Sequence, residues 1–130
     1  MLRSFLLALV LPLAILAQVE TGLIVGAVTD PAGAVVPAAQ VTVKSAATGI
    51  ALTLETNDAG RFQSAPLKPG EYEVTVSATG FKMAVLPVRV EVNQRVLADV
   101  KLELGAASER ITVEASATQL ESETSTLGLV

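Results

Sequence analysis

Residues 67–81 read LKPGEYEVTVSATGF, from Leu67 to Phe81. A turn, a strand and a second turn follow one another within this short run. Pro69 presets its own φ and Gly70 tolerates angles closed to other residues, so the pair reverses the chain. Beyond it Tyr72, Val74, Val76 and Ala78 alternate with Glu71, Glu73, Thr75 and Ser77. Strict period two with one polar face marks a half-buried antiparallel strand. The aromatics outside the first seventeen residues, Phe62, Tyr72 and Phe81, all fall in or beside this run. Tyr72 shares its face with small apolar residues, which predicts a ring in the core and a hydroxyl near an edge. Phe62 and Phe81 stand close to Gly60 and Gly80, whose freedom lets the backbone bend and the rings fold inward. The run is read as the centre of a core and not as an exposed aromatic platform.

Working outward, the chain continues as strand after strand. GLIVGAVTD (22–30) is followed by Pro31-Ala32-Gly33, and QVTVKSA (40–46) sets Val41 and Val43 against Thr42 and Lys44. Ile50, Leu52 and Leu54 alternate with Ala51, Thr53 and Glu55. Asn57-Asp58-Ala59-Gly60 is a turn by composition, since Asn and Asp bond their own backbone and glycine admits positive φ. Val88, Val90 and Val92 alternate with Arg89, Glu91 and Asn93. Val96, Ala98, Val100, Leu102 and Leu104 then alternate with Leu97, Asp99, Lys101 and Glu103. No sustained helical period interrupts them. About seven short strands spaced roughly ten residues apart predict an all-β, seven-stranded antiparallel β-sandwich.

The ends differ from the middle. Met1-Leu2-Arg3-Ser4 is a short positive start, and Phe5 to Ala17 is an apolar run containing Pro12. At about 1.5 Å per residue that run reaches roughly 20 Å, short of the roughly 30 Å hydrocarbon core of a bilayer. A short apolar run closed by a small residue predicts a signal peptide over residues 1–17, cleaved after Ala17, and therefore export. Without Arg3 the remaining chain carries eight basic and thirteen acidic residues, net −5. The basic residues are scattered, which argues against nucleic acid as a partner. With no cysteine the exported domain must stand on its core without disulfides. Residues 18–105 are read as the domain, and residues 106–130, ending in a stretch rich in Ser, Thr and Glu, as a linker or tail.

Taken together, Asn57-Asp58-Ala59-Gly60-Arg61-Phe62, Leu67-Lys68-Pro69-Gly70-Glu71-Tyr72 and Gly80-Phe81 strongly resemble the carboxypeptidase regulatory-like domain. Gly26 to Ala34 looks like that family's first strand and turn, and Val41-Thr42-Val43 its second strand. The resemblance covers roughly residues 21–104 and implies a transthyretin-like (prealbumin-like) sandwich of the carbohydrate-binding-like kind. Gly60, Phe62, Pro69, Gly70, Tyr72, Gly80 and Phe81 are its structural signature. Glu109 to Ala115 is similar to the segment that follows such domains in TonB-dependent outer-membrane receptors of the Oar-like type. There Ile111, Thr112, Val113, Glu114 and Ala115 would correspond to an energy-coupling box, an extended peptide that pairs with a sheet edge of the periplasmic TonB protein. Ile111 and Val113, with Thr112 between them, also suit the last strand of the sandwich.

The resemblance therefore implies a periplasmic N-terminal extension at the outer membrane, acting as a spacer or protein-interaction domain in uptake. No plug and no barrel follow in these residues, and a barrel of about 22 strands would need over 200 residues in strands alone. The readings are a receptor N-terminus parted from its barrel, or a free-standing secreted carbohydrate-binding or adhesive module. Carbohydrate is the less expected ligand, because the mature aromatics are all assigned to the core. Catalysis is not expected, and neither is a cofactor. With neither His nor Cys, the usual zinc ligand sets, a Ser-His-Asp triad and a Cys-His pair cannot be built. Asp30, Asp58 and Asp99 could contribute to a calcium site, but Asp30 and Asp58 stand in turns where Asx bonding accounts for them.

Overall fold

The computed structural model describes residues 20–113. The predicted leader, and Glu114 and Ala115 of the box-like segment, lie outside the described residues. The described chain is strand, turn and loop throughout. Its strands are β1 (Leu23–Thr29), β2 (Gln40–Ser45), β3 (Ala51–Glu55), β4 (Arg61–Gln63), β5 (Gly70–Ser77), β6 (Met83–Val90), β7 (Arg95–Leu97), β8 (Val100–Lys101) and β9 (Arg110–Thr112). They form two sheets. In the smaller, β1 lies between β4 and the consecutive pieces β7 and β8; the larger runs β3-β2-β5-β6-β9.

Seven antiparallel strands were expected, and two features differ. Nine strands form among the described residues, partly because the alternating run from Val96 is cut into β7 and β8, and partly because Arg110–Thr112 adds to the larger sheet. The sheets are also mixed: β1 pairs in parallel with β7 and β8, and β6 in parallel with β9. Only a hairpin forces neighbours to run antiparallel. Half of the chain, residues 30–94, separates β1 from β7, so nothing local dictates their direction.

Period-two patterning places the core between the sheets. Ile24 and Val28 of β1, Val41 and Val43 of β2, Val74 and Val76 of β5, and Leu86 and Val88 of β6 are all buried. From the C-terminal run Val96, Ala98, Val100 and Leu102 are buried, as their alternation requires, whereas Leu104 is exposed. The predicted apolar face of β3 departs from this pattern: Ile50 is 66% and Leu52 41% exposed. Its strand ends the wider sheet, and the narrower sheet opposite leaves that end uncovered.

Two close approaches explain local sequence. Gly60 has φ of 69°, and a Cβ on it would stand 2.9 Å from the Val28 carbonyl oxygen. Its turn is held by Asn57, whose Oδ1 accepts from the N–H groups of Ala59 and Arg61, both at 3.0 Å. Of Asn57 and Asp58, both of which the sequence marks for Asx bonding, Asn57 performs it. At Asp30 the assignment agrees, with Oδ1 accepting from Ala32 and Ala34. Gly26 lies where β7 gives way to β8, and any Cβ there would collide with the Ala98 carbonyl. The interrupted ladder is mended by a side chain, since Asp99 Oδ1 accepts the Ala27 N–H at 2.9 Å.

Candidate functional site

The Leu67–Phe81 run carries β5, the central strand of the larger sheet, paired with β2 on one side and β6 on the other. The Tyr72 hydroxyl donates to the Lys68 carbonyl at 2.6 Å, tying the strand back across the Pro69-Gly70 turn. Phe62 is buried, while Tyr72 and Phe81 are half-buried and pack against the core. Gly80 has φ of 86° just before Phe81. The tyrosine also lines an open cleft of about 360 Å³ with Val43, Leu52, Leu67 and Pro69. A second groove, of about 520 Å³, lies over the smaller sheet, with Val25 and Leu97 among its lining and Arg61 and Arg95 beside them. Among the described residues no group of three acidic, His or Cys side chains is placed to hold a metal.

The box-like segment is built as an edge strand. Met83 N–H donates to the Glu109 carbonyl and Val113 N–H to the Val85 carbonyl, each at 2.8–2.9 Å. The parallel register Met83↔Arg110 to Val85↔Thr112 fills the rungs between them. In such a ladder alternate residues face the partner, so the backbone groups of Ile111 point to β6 and those of Arg110 and Thr112 point away. Ile111 and Val113 are half-buried against the core. Lys82 secures the approach to the strand, its Nζ lying 3.3 Å from Glu109 and 3.9 Å from Glu103. The segment is therefore not loose from the sandwich as far as Val113. There the ladder must stop: its next rung would need an N–H from Pro87, which has none.

Other residues that organise these edges carry little mark in the sequence. Asp99 sits at an ordinary surface position of an alternating run. Thr56 and Ser64 are buried polar residues that bond backbone groups far away in sequence. A buried hydroxyl and an exposed one look alike until the fold brings their partners near.

The family is settled by comparison of the sequence with family models: residues 23–103, well over half of the chain, match the carboxypeptidase regulatory-like domain. The chain belongs to that family. The matched span ends before β9. Comparison with curated proteins gave no match. Among solved structures the chain is similar to catechol 1,2-dioxygenase from Acinetobacter radioresistens, with TM-score 0.57, 15% identity, and 74% of this chain and 58% of that one covered. It is also similar to the Bacillus anthracis TIE protein, with TM-score 0.58, 18% identity, and 65% and 17% covered. The Streptococcal ancillary pilin gives TM-score 0.56, 14% identity, and 68% and 34% covered. At these identities the likeness is one of fold. The chain spans less than two thirds of the length of each of these proteins.

Proposed function

We propose that this chain is a non-enzymatic, exported, transthyretin-like sandwich that serves as the periplasmic N-terminal extension of a TonB-dependent outer-membrane receptor. Its domain acts as a spacer or protein-interaction module, with plug and barrel supplied by further sequence or a partner chain. Ile111 to Ala115 is the segment offered to TonB. The observation that carries this reading is the construction of β9. It lies beyond the family domain, adds to an outer sheet edge, and ends its own pairing at Pro87. Its outward backbone groups, on Arg110 and Thr112, suit strand addition, a mode in which main-chain bonds supply the affinity.

Calorimetry or NMR titration of the whole chain, and of a peptide spanning Ser108 to Thr118, against the periplasmic domain of the same organism's TonB tests the reading. Binding is expected, weak because ordering the peptide costs entropy. Thr112→Pro removes an outward N–H and should abolish it without touching the rungs to β6. Val113→Pro is the poorer probe, because its N–H belongs to the β6 ladder. Absence of binding by both chain and peptide at millimolar concentration, about −4 kcal/mol, would reject the proposal.

A free-standing adhesive or carbohydrate-binding module is the second reading. It draws on the fold likeness to the TIE protein and the ancillary pilin, and on the half-exposed Tyr72 in its cleft. Micromolar binding in an oligosaccharide panel, lost in Tyr72→Ala, would favour it.

A further inference from the structure

Among the described residues the two sheets present four edges; the β9 edge is the one assigned above to TonB, and two of the other three are poor templates for pairing. β4 has three residues and exposes Arg61 and Gln63. The β7–β8 edge is broken at Ala98-Asp99. β9 is a three-residue strand whose outward groups, on Arg110 and Thr112, are those already offered to TonB. β3 is different. Ala51–Glu55 is a five-residue strand without Pro, Lys or Arg, and it ends the larger sheet. Folded proteins ordinarily guard such an edge with charge, proline, a bulge or brevity.

Its open hydrogen-bonding groups can be read from the register. Ser45 N–H donates to the Ile50 carbonyl at 2.9 Å, and Val43↔Leu52 and Val41↔Leu54 continue the same bonded pairs. On β2, the alternate residues bond β5, as the Ala46 N–H to Glu71 carbonyl bond at 3.0 Å shows. The N–H and C=O of Leu52 and Leu54 thus point to β2. Those of Ala51, Thr53 and Glu55 point off the edge, and no described strand pairs with them.

We propose that β3 is a self-pairing edge through which two copies of this chain join their larger sheets into one. The open residues are symmetric about Thr53, so an antiparallel two-fold pairing sets Thr53 opposite Thr53 and Ala51 opposite Glu55. Every outward donor and acceptor on both strands is then matched, which is the self-complementarity an isologous interface requires. Charge is compatible. Glu55 is the strand's only ionisable residue and faces alanine, so two acidic chains meet without apposed carboxylates. On the inner face Leu52 comes beside Leu54 of the second copy, in the closer, non-hydrogen-bonded type of pair. That contact covers apolar surface which the narrower sheet leaves bare, and Ile50 extends it. A five-residue pairing is smaller than the interfaces of about 1,200–2,000 Å² that sustain stable complexes, so the dimer is weak and concentration-dependent.

Sedimentation of the purified full chain from about 10 μM to about 1 mM, spanning roughly −7 to −4 kcal/mol of association, reads the proposal directly. The expected result is a mass rising toward that of two chains, with the amides of Ala51, Thr53 and Glu55 gaining protection from hydrogen exchange as concentration rises. Thr53→Pro deletes the central donor of each copy and leaves the β2 ladder intact; it should weaken association at least tenfold, about 1.4 kcal/mol. Thr53→Lys, a guarding charge at the same position, should act alike and controls for any misfolding of the proline variant. A chain that stays monomeric throughout, association unchanged in both variants, or protection that appears on other strands would overturn the proposal. Protection of the three amides only when a different protein is added would also overturn it, by assigning the edge to a foreign strand.

Discussion

Thr56 offers a sharp test of how the β2–β3 hairpin is fastened. It is 5% exposed, and its hydroxyl accepts the Ala39 N–H at 2.9 Å while donating to the Val36 carbonyl at 2.7 Å. One oxygen thus serves two backbone groups at the entry to β2. Thr56→Val keeps the shape and removes both bonds. Ala39 is fully buried, so its N–H is left without water or partner; Val36 is half-buried, and its carbonyl regains part of its hydration. A buried group left unsatisfied costs about 1–3 kcal/mol. Counting the N–H in full and the carbonyl at the low end, the variant should lose about 2–4 kcal/mol, a large share of the roughly 5–15 kcal/mol that holds a domain together. At about 4–8 °C per kcal/mol for a domain of this size, Tm should fall by at least about 8 °C. Thr56→Ser keeps the hydroxyl and loses only a methyl, worth about 1 kcal/mol. Thermal and urea melts of the two variants decide the matter. If the valine variant melts within about 2 °C of the parent, or the serine variant proves the less stable, the hydroxyl does not fasten the hairpin and the reasoning fails.

Two further outcomes are expected. Phe62→Ala should cost about 3–5 kcal/mol in urea unfolding, because the ring is buried. Phe81→Ala, at a half-buried ring, should cost less, and the reverse order would mean that the core is centred elsewhere. Mass spectrometry of the chain recovered from an exporting host should find Gln18 at its N-terminus; an intact Met1 on a cytoplasmic product would refute the leader.

Much of the architecture was legible because β-structure writes its burial into a period of two. The alternation in Tyr72–Ala78 and in Val96–Leu102 names the inward face before any partner is known. The turn Asn57–Gly60 was legible for a local reason: its bonds lie within a few residues and its glycine has a positive φ. What alternation cannot carry is which strand lies beside which. The parallel pairing of β1 with β7 and β8, and the Asp99 carboxylate that mends its interruption, join residues about seventy positions apart. Ile50 and Leu52 have the same pattern as Val74 and Val76, yet the former are exposed and the latter buried. Chain pattern defines a face, and only the width of the opposite sheet decides whether that face is covered. The same holds for the box-like segment. Its β-prone residues were evident in the sequence, whereas its docking on β6 and the stop at Pro87 belong to the tertiary structure, because a backbone bond is made by position in space and not by residue type.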